Sequence, residues 1–440
     1  MSNNAGSKRA FAIITTLFFL WGFITVLVDS LIPRLKDVFE LSYFQAGLVQ
    51  FAFFLAYFIF SIPAGSILAR IGYKKGIILG LLTMAFGCLL FYPASEYRMF
   101  NVFLLGYFIL AAGITVLQVA ANPYVSLLGS EQGASSRLNL AQAFNSLGTT
   151  IAPIIGALFL LSETVKTSTE INALSIQEKE SYLTAEAATV QTPFLTIAAI
   201  IGVLAVVFMI VKLPTIMEKS PKGGYSKLFK NKLALMGVLG IFLYVGAEVA
   251  IGSYLVNYFQ SMRLTPIILE NETMMAIANT ITNVFNKDLS VSDPKSLLGI
   301  FVIFYWGGAM IGRFIGAYLT KLITPGKVLG VFSFLAILMI FTSMNTLGLL
   351  SMWTILSVGL FNSIMFPTIF TLTLDGLGDL KPQASGLLCT AIVGGAIIPP
   401  LYGFLTDQFH FKLALLLIVL CYAYILYFGW IKSKVSVRIV

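Results

Sequence analysis

Twelve separate apolar runs, each long enough to cross a bilayer, govern what this chain can fold into. They lie at about 10–32, 43–70, 76–94, 100–128, 137–161 and 191–213. Past a basic break they resume at about 233–259, 296–321, 326–344, 347–374, 383–406 and 411–432. A helix rises about 1.5 Å per residue, so about 20 residues cross a hydrocarbon core about 30 Å thick. Backbone groups in hydrocarbon must bond to each other, which leaves helices for runs of this length. Only 11% of the residues are charged and 58% are hydrophobic, against about 25% charged in a soluble domain. The expected class is an all-α integral membrane protein with twelve transmembrane helices. The first run is too long for a signal-peptide h-region and lacks a small-residue cleavage site, so it is read as a span. Cys88, Cys389 and Cys421 each fall inside an apolar run with no CxxC pair, which suits packing better than a metal site or disulfides.

The net charge of +9 is explained by topology. With the N-terminus inside and the spans alternating, 19 of the 28 cations fall on the inner face and 9 on the outer. The positive-inside rule then places both termini in the cytoplasm. Lys8, Arg70, Lys74, Arg137, Arg313 and Lys321 are among the inner cations in this count. Nucleic-acid binding drops out.

The halves repeat weakly. Gly65 to Arg70, Gly72 and Lys74 end span 2, and Gly316 to Lys321, then Pro325-Gly326-Lys327, end span 8. Gln118 stands five residues before Pro123 in span 4, as Asn362 stands five before Pro367 in span 10. Gly148 and Pro153 in span 5 match Gly394 and Pro399 in span 11. Three features in matching order predict two pseudo-symmetric six-helix bundles, 1–213 and 233–440, joined by a basic cytoplasmic linker at 214–232. Duplicated six-helix units are a transporter architecture.

Span 5 opens with Asn139, Gln142 and Asn145 at steps of three, a spacing that puts the amides on one face of a helix. Such a stripe serves either as glue between helices or as the wall of a watery cavity. Asn122-Pro123 and Phe366-Pro367 are expected to bend spans 4 and 10 and free carbonyls toward a cavity; packing kinks are the alternative. Two acids lie within spans, Asp29 and Glu248. A carboxylate at mid-membrane costs about 2.5–3.5 kcal/mol on insertion scales, so either is a candidate for loading and releasing a proton. The alternatives are an interfacial Asp29, four residues before Pro33, and a structural Glu248 bonded to neighbouring helices.

The G-x-x-x-x-R-x-G-x-K pattern after span 2, the twelve spans and the basic middle loop resemble the major facilitator superfamily. Ala69 stands where that loop motif usually has an acid, so the customary charge relay is incomplete. Phe19-Leu-Trp21-Gly22, Ala120-Ala-Asn122-Pro123-Tyr124 and the block from Arg137 to Gly148 resemble the fucose–glucose/galactose symporter family. Ile392-Val-Gly-Gly-Ala-Ile-Ile-Pro399 is similar to its glucose/galactose branch. The resemblance implies a coupling acid at Asp29. It also implies a second acid in the fucose symporters where this chain has Gln118, an amide that cannot carry a proton but can bind hydroxyls.

A sugar needs amides for its hydroxyls and an aromatic face for its C–H side. Gln118, Gln142, Asn145 and Asn362 are candidates for the first, with Trp21, Trp306 and Tyr305 for the second. Asp29, alone or with Glu248, is the expected coupling group. Gly65, Arg70, Gly72, Lys74, Arg137 and Arg313 are expected to serve conformational change. The resulting expectation is a monomeric transporter in the inner membrane, importing glucose or galactose with a proton and requiring no cofactor or metal. Sodium is the alternative ion, and L-fucose, N-acetylglucosamine or mannose the alternative sugars. A membrane enzyme would need clustered His, Cys or paired carboxylates, whereas the single histidine, His410, lies between two spans. A channel would need a continuous polar ring, which is not visible.

Overall fold

The computed structural model describes residues 2–38, 43–159, 173–216, 224–284 and 294–437. In the first half the long helices are α1 (Ser2–Val38), α2 (Tyr43–Ile71), α3 (Tyr73–Leu89), α4 (Phe100–Leu127), α5 (Ala134–Phe159) and α6 (Ile176–Ile210). In the second half they are α7 (Lys232–Ser261), α8 (Ile303–Leu322), α9 (Pro325–Asn345), α10 (Gly348–Leu374), α11 (Gly378–Phe409) and α12 (Phe411–Val437). Eleven described stretches are long and apolar enough to cross a membrane. The twelfth long helix is α5, whose Arg137, Asn139, Gln142 and Asn145 make it more polar.

The same packing pattern appears in each half. In the first, α1 packs on α5, α2 on α4, and α3 on both α4 and α6; in the second, α7 packs on α11, α8 on α10, and α9 on both α10 and α12. Between halves, α5 meets α8 and α10, and α11 meets α2 and α4. These pairs exchange under the same rotation, which identifies a pseudo-two-fold arrangement of two six-helix bundles. Large apolar side chains such as Phe51, Phe58, Phe86, Val203, Val331 and Leu420 stay exposed, as lipid-facing surfaces require.

Local chemistry sets the helix ends. Ser175 and Glu178 form a reciprocal capping box at the start of α6, and the Asn231 side chain accepts from the Ala234 amide at 3.1 Å to start α7. Gly72, at φ 83°, makes the tight turn from α2 to α3 in a conformation that side chains resist.

Three stretches between the apolar runs contain helix. In the polar segment 162–190, α6 begins at Ile176, where the capping box forms. The segment 260–295 contains the short helices Leu264–Leu269 and Glu272–Val284. The basic linker contains the helix Gly224–Lys230.

Candidate functional site

The amides of α5 share a face, yet they go to different partners. Asn139 reaches across to α10, donating to Thr368 Oγ1 at 3.2 Å and to its own helix at Ser135 O. Gln142 donates to Asn122 Oδ1 of α4 at 3.2 Å. Asn145 donates to the Phe18 carbonyl of α1 at 2.9 Å. A Cβ at Gly22 would collide with Asn145, so the glycine admits this contact. The stripe therefore serves as glue between helices: Asn139 and Gln142 are buried, whereas Asn145, like Gln118 on α4, is only partly so.

The halves are stitched together from the α4–α5 turn upward. Lys381 pairs with Glu131 at 3.2 Å, Ser135 bonds Thr371 at 2.6 Å, and Ser136 donates to the Ala317 carbonyl at 2.6 Å. Ser385 of α11 donates to the Val119 carbonyl of α4 at 2.8 Å. Nearer mid-span, Arg313 Nη1 donates to Ser146 Oγ.

The prolines explain two of these bonds. Pro123 lacks an amide and so leaves the carbonyl four residues back, Val119, without its helical partner; Ser385 takes it. Pro367 frees Ser363 in the same way, between the helical segments Gly348–Asn362 and Met365–Leu374. Arg313 Nε donates to the Ser363 carbonyl at 3.2 Å. Both freed carbonyls are thus held by side chains, which is the packing-kink alternative and not the cavity-facing one.

Arg313 corrects a second expectation. It is not an inner-face or loop cation, because it sits within α8 beside Glu248, with Nη2 3.7 Å from Glu248 Oε1. Tyr244 donates to the same oxygen at 2.6 Å. Tyr305 donates to the Glu248 carbonyl at 3.3 Å, and Asn362 Nδ2 bonds the hydroxyls of Tyr305 and Tyr422 at 2.8 and 3.1 Å. Glu248 is therefore a partnered acid. Asn362 is fully buried and cannot meet a ligand in this arrangement, because its tyrosine partners seal it among α8, α10 and α12.

The other candidates are dispersed. Gln118 donates to Tyr57 Oη at 2.5 Å and stays partly accessible on α4. Trp21 is buried edge-on against Phe18, so its ring packs and presents no open face. Trp306 is 45% exposed and stands over Gly252, where a Cβ would strike its ring. Asp29 lies on α1, but its side chain is outside the described residues.

The loop-motif residues hold helix ends. Lys74 donates to the Met209 carbonyl at the end of α6 at 3.0 Å. Arg137 donates to the carbonyls of Val125, Ser126 and Ser130, closing the C-terminus of α4 where a cation also suits the helix dipole. Gly65 is a close-packing floor for Tyr225 and Pro382, while Arg70 is exposed. Tyr244, Tyr422, Ser146 and Ser385 went unnoticed in the sequence. Among the described residues no group of three or more His, Cys, Asp or Glu could hold a metal.

The model of the Major Facilitator Superfamily matches residues 10–398. The glucose/galactose transporter of Brucella abortus is 46% identical over 424 residues, 96% of this chain and 93% of that one. The L-fucose-proton symporter of Escherichia coli is 34% identical over 450 residues, covering 99% and 97%. The crystal structure of the transporter FucP in the outward conformation superposes with a TM-score of 0.84 at 33% identity, covering 96% of this chain and 98% of that one. The chain belongs to the Major Facilitator Superfamily and, within it, to the fucose–glucose/galactose symporter family.

Proposed function

We propose that the chain imports a neutral hexose, glucose or galactose, together with a proton, by rocking the 1–213 and 233–440 bundles about a central site. The observation that carries this reading is Arg313, which brings polar groups of both bundles together in mid-span through Ser146 on one side and Glu248 on the other. The similarity to the Brucella glucose/galactose transporter supplies the sugar. Gln118 at the position of the fucose symporters' second acid favours glucose or galactose over L-fucose.

In this reading Gln118 and Asn145 bind sugar hydroxyls and Asp29 carries the proton, with sodium as the alternative ion. Glu248, already paired with Arg313, is a binding or structural carboxylate. The bonds from the α4–α5 turn to Ser146 close one end, and the likeness to outward FucP supports assigning that end to the cytoplasm of an inner membrane, with both termini on the same side. Opening inward then requires that sugar and proton together favour the other state. A competition panel of hexoses at two pH values, with and without sodium, tests the reading. Glucose and galactose should compete best, more strongly at low pH and regardless of sodium; a sodium requirement or a preference for L-fucose overturns it.

A further inference from the structure

We propose that Glu248 and Arg313 form a specificity-determining pair that reads two neighbouring hydroxyls of the sugar; this rests on the hexose-transport reading. Both residues lie near the middle of their helices, and their side chains keep 13% and 15% exposure. Three constraints fix the guanidinium. Its Nε is held by the Ser363 carbonyl, its Nη1 by Ser146, and its remaining nitrogen, Nη2, faces Glu248 Oε1 across 3.7 Å.

That separation is too long for a hydrogen bond, so Nη2 keeps its protons for another acceptor. The residual exposure of both side chains leaves the pair within reach of a ligand. Tyr244 and the helix break at Ser363 hold the pair in register from behind, so little side-chain freedom is lost when a ligand arrives.

A guanidinium donor set beside a carboxylate acceptor matches a vicinal diol. One hydroxyl accepts from Arg313 Nη2, and its neighbour donates to the Glu248 carboxylate. Charge-assisted bonds of this kind are stronger than amide–hydroxyl bonds. A sugar lacking one of the two hydroxyls leaves a charged group without its partner, which penalises the analogue more than a missing contact alone would.

The test measures the affinity of the purified full chain for glucose, galactose and each of their monodeoxy derivatives by titration calorimetry, in wild type, Glu248→Gln and Arg313→Lys. In wild type at least one deoxy derivative should bind about 10- to 100-fold more weakly than its parent. In Glu248→Gln the parent sugar should weaken, and the ratio for that derivative should fall to within a few-fold of unity. Arg313→Lys keeps the charge and loses the planar fork, so it should lower the same ratio or that of the adjacent position. Ratios identical in wild type and both variants overturn the pair. If a variant fails to elute as a monodisperse species, the other carries the comparison. Should both fail, a wild type that binds every deoxy derivative as well as the parent overturns the pair, and one with two adjacent sensitive positions supports it. A wild type that binds no hexose overturns the hexose reading itself, a distinguishable outcome.

Discussion

Ser385 on α11 donates a 2.8 Å hydrogen bond to the carbonyl of Val119 on α4, the carbonyl that Pro123 leaves without an amide. One bundle thus completes the broken helix of the other. The related position in the second half, Ser363 before Pro367, is completed within its own bundle by Arg313. The asymmetry makes the first bond dependent on conformation, because moving α11 away from α4 strands the Val119 carbonyl.

Replacing Ser385 by Ala should therefore weaken closure at the α4–α5 end. A buried acceptor left unpaired costs about 1–3 kcal/mol, enough to raise the open population at least about fivefold. Cys389, buried one turn further along α11, is the reporter. With Cys88 and Cys421 replaced, its alkylation should be several-fold faster in Ser385→Ala; an unchanged rate removes the bond from the switch.

Tyr225 in the linker helix donates to the Ile62 carbonyl at 2.7 Å, with its phenol seated between Gly65 and Gly386. Gly65→Ala would drive a Cβ into that phenol and toward the Pro382 carbonyl at 2.9 Å, parting α2 from α11. Transport should fall and the melting temperature drop, with partial recovery in Gly65→Ala/Tyr225→Phe. No recovery in the double variant would place the strain at Pro382 alone.

The two amides in the sugar reading give a separate test. Gln118→Ala and Asn145→Ala should each weaken hexose binding by about 1–3 kcal/mol, the cost of leaving a hydroxyl or its protein partner unpaired. Calorimetry giving wild-type affinity would release that residue from the site. Asn145→Ala also loses the bond to Phe18, so its thermal stability should be measured alongside.

Much of this arrangement was legible in the sequence because length and apolarity dictate membrane helices with few alternatives. Matching proline positions in spans 4 and 10 exposed the duplication for the same reason: a missing amide has a fixed structural effect. Partners were far less legible. The spacing of Asn139, Gln142 and Asn145 gave their common face, but not that Asn139 would cross to Thr368 while Asn145 turned to Phe18. Arg313 was counted with the inner cations, since counting cannot tell a loop arginine from one neutralised inside a span. Tyr422 is one of 18 tyrosines, and only packing separates it from those facing lipid. Asn362 looked like a ligand-binding amide because its burial behind Tyr305 and Tyr422 depends on tertiary contacts.

In the proposed reading, Asp29 carries the coupled proton. Asp29→Asn should abolish accumulation against a gradient while leaving exchange of labelled for unlabelled hexose partly intact, since exchange needs no net proton movement. Accumulation equal to wild type would assign the proton elsewhere.

The most direct measurement is uptake of labelled glucose by the purified chain in liposomes, with and without an imposed inward proton gradient. The account predicts accumulation above the external concentration only while the gradient lasts, and its collapse on adding a protonophore. Uptake that stops at equal concentrations under the same gradient would contradict it.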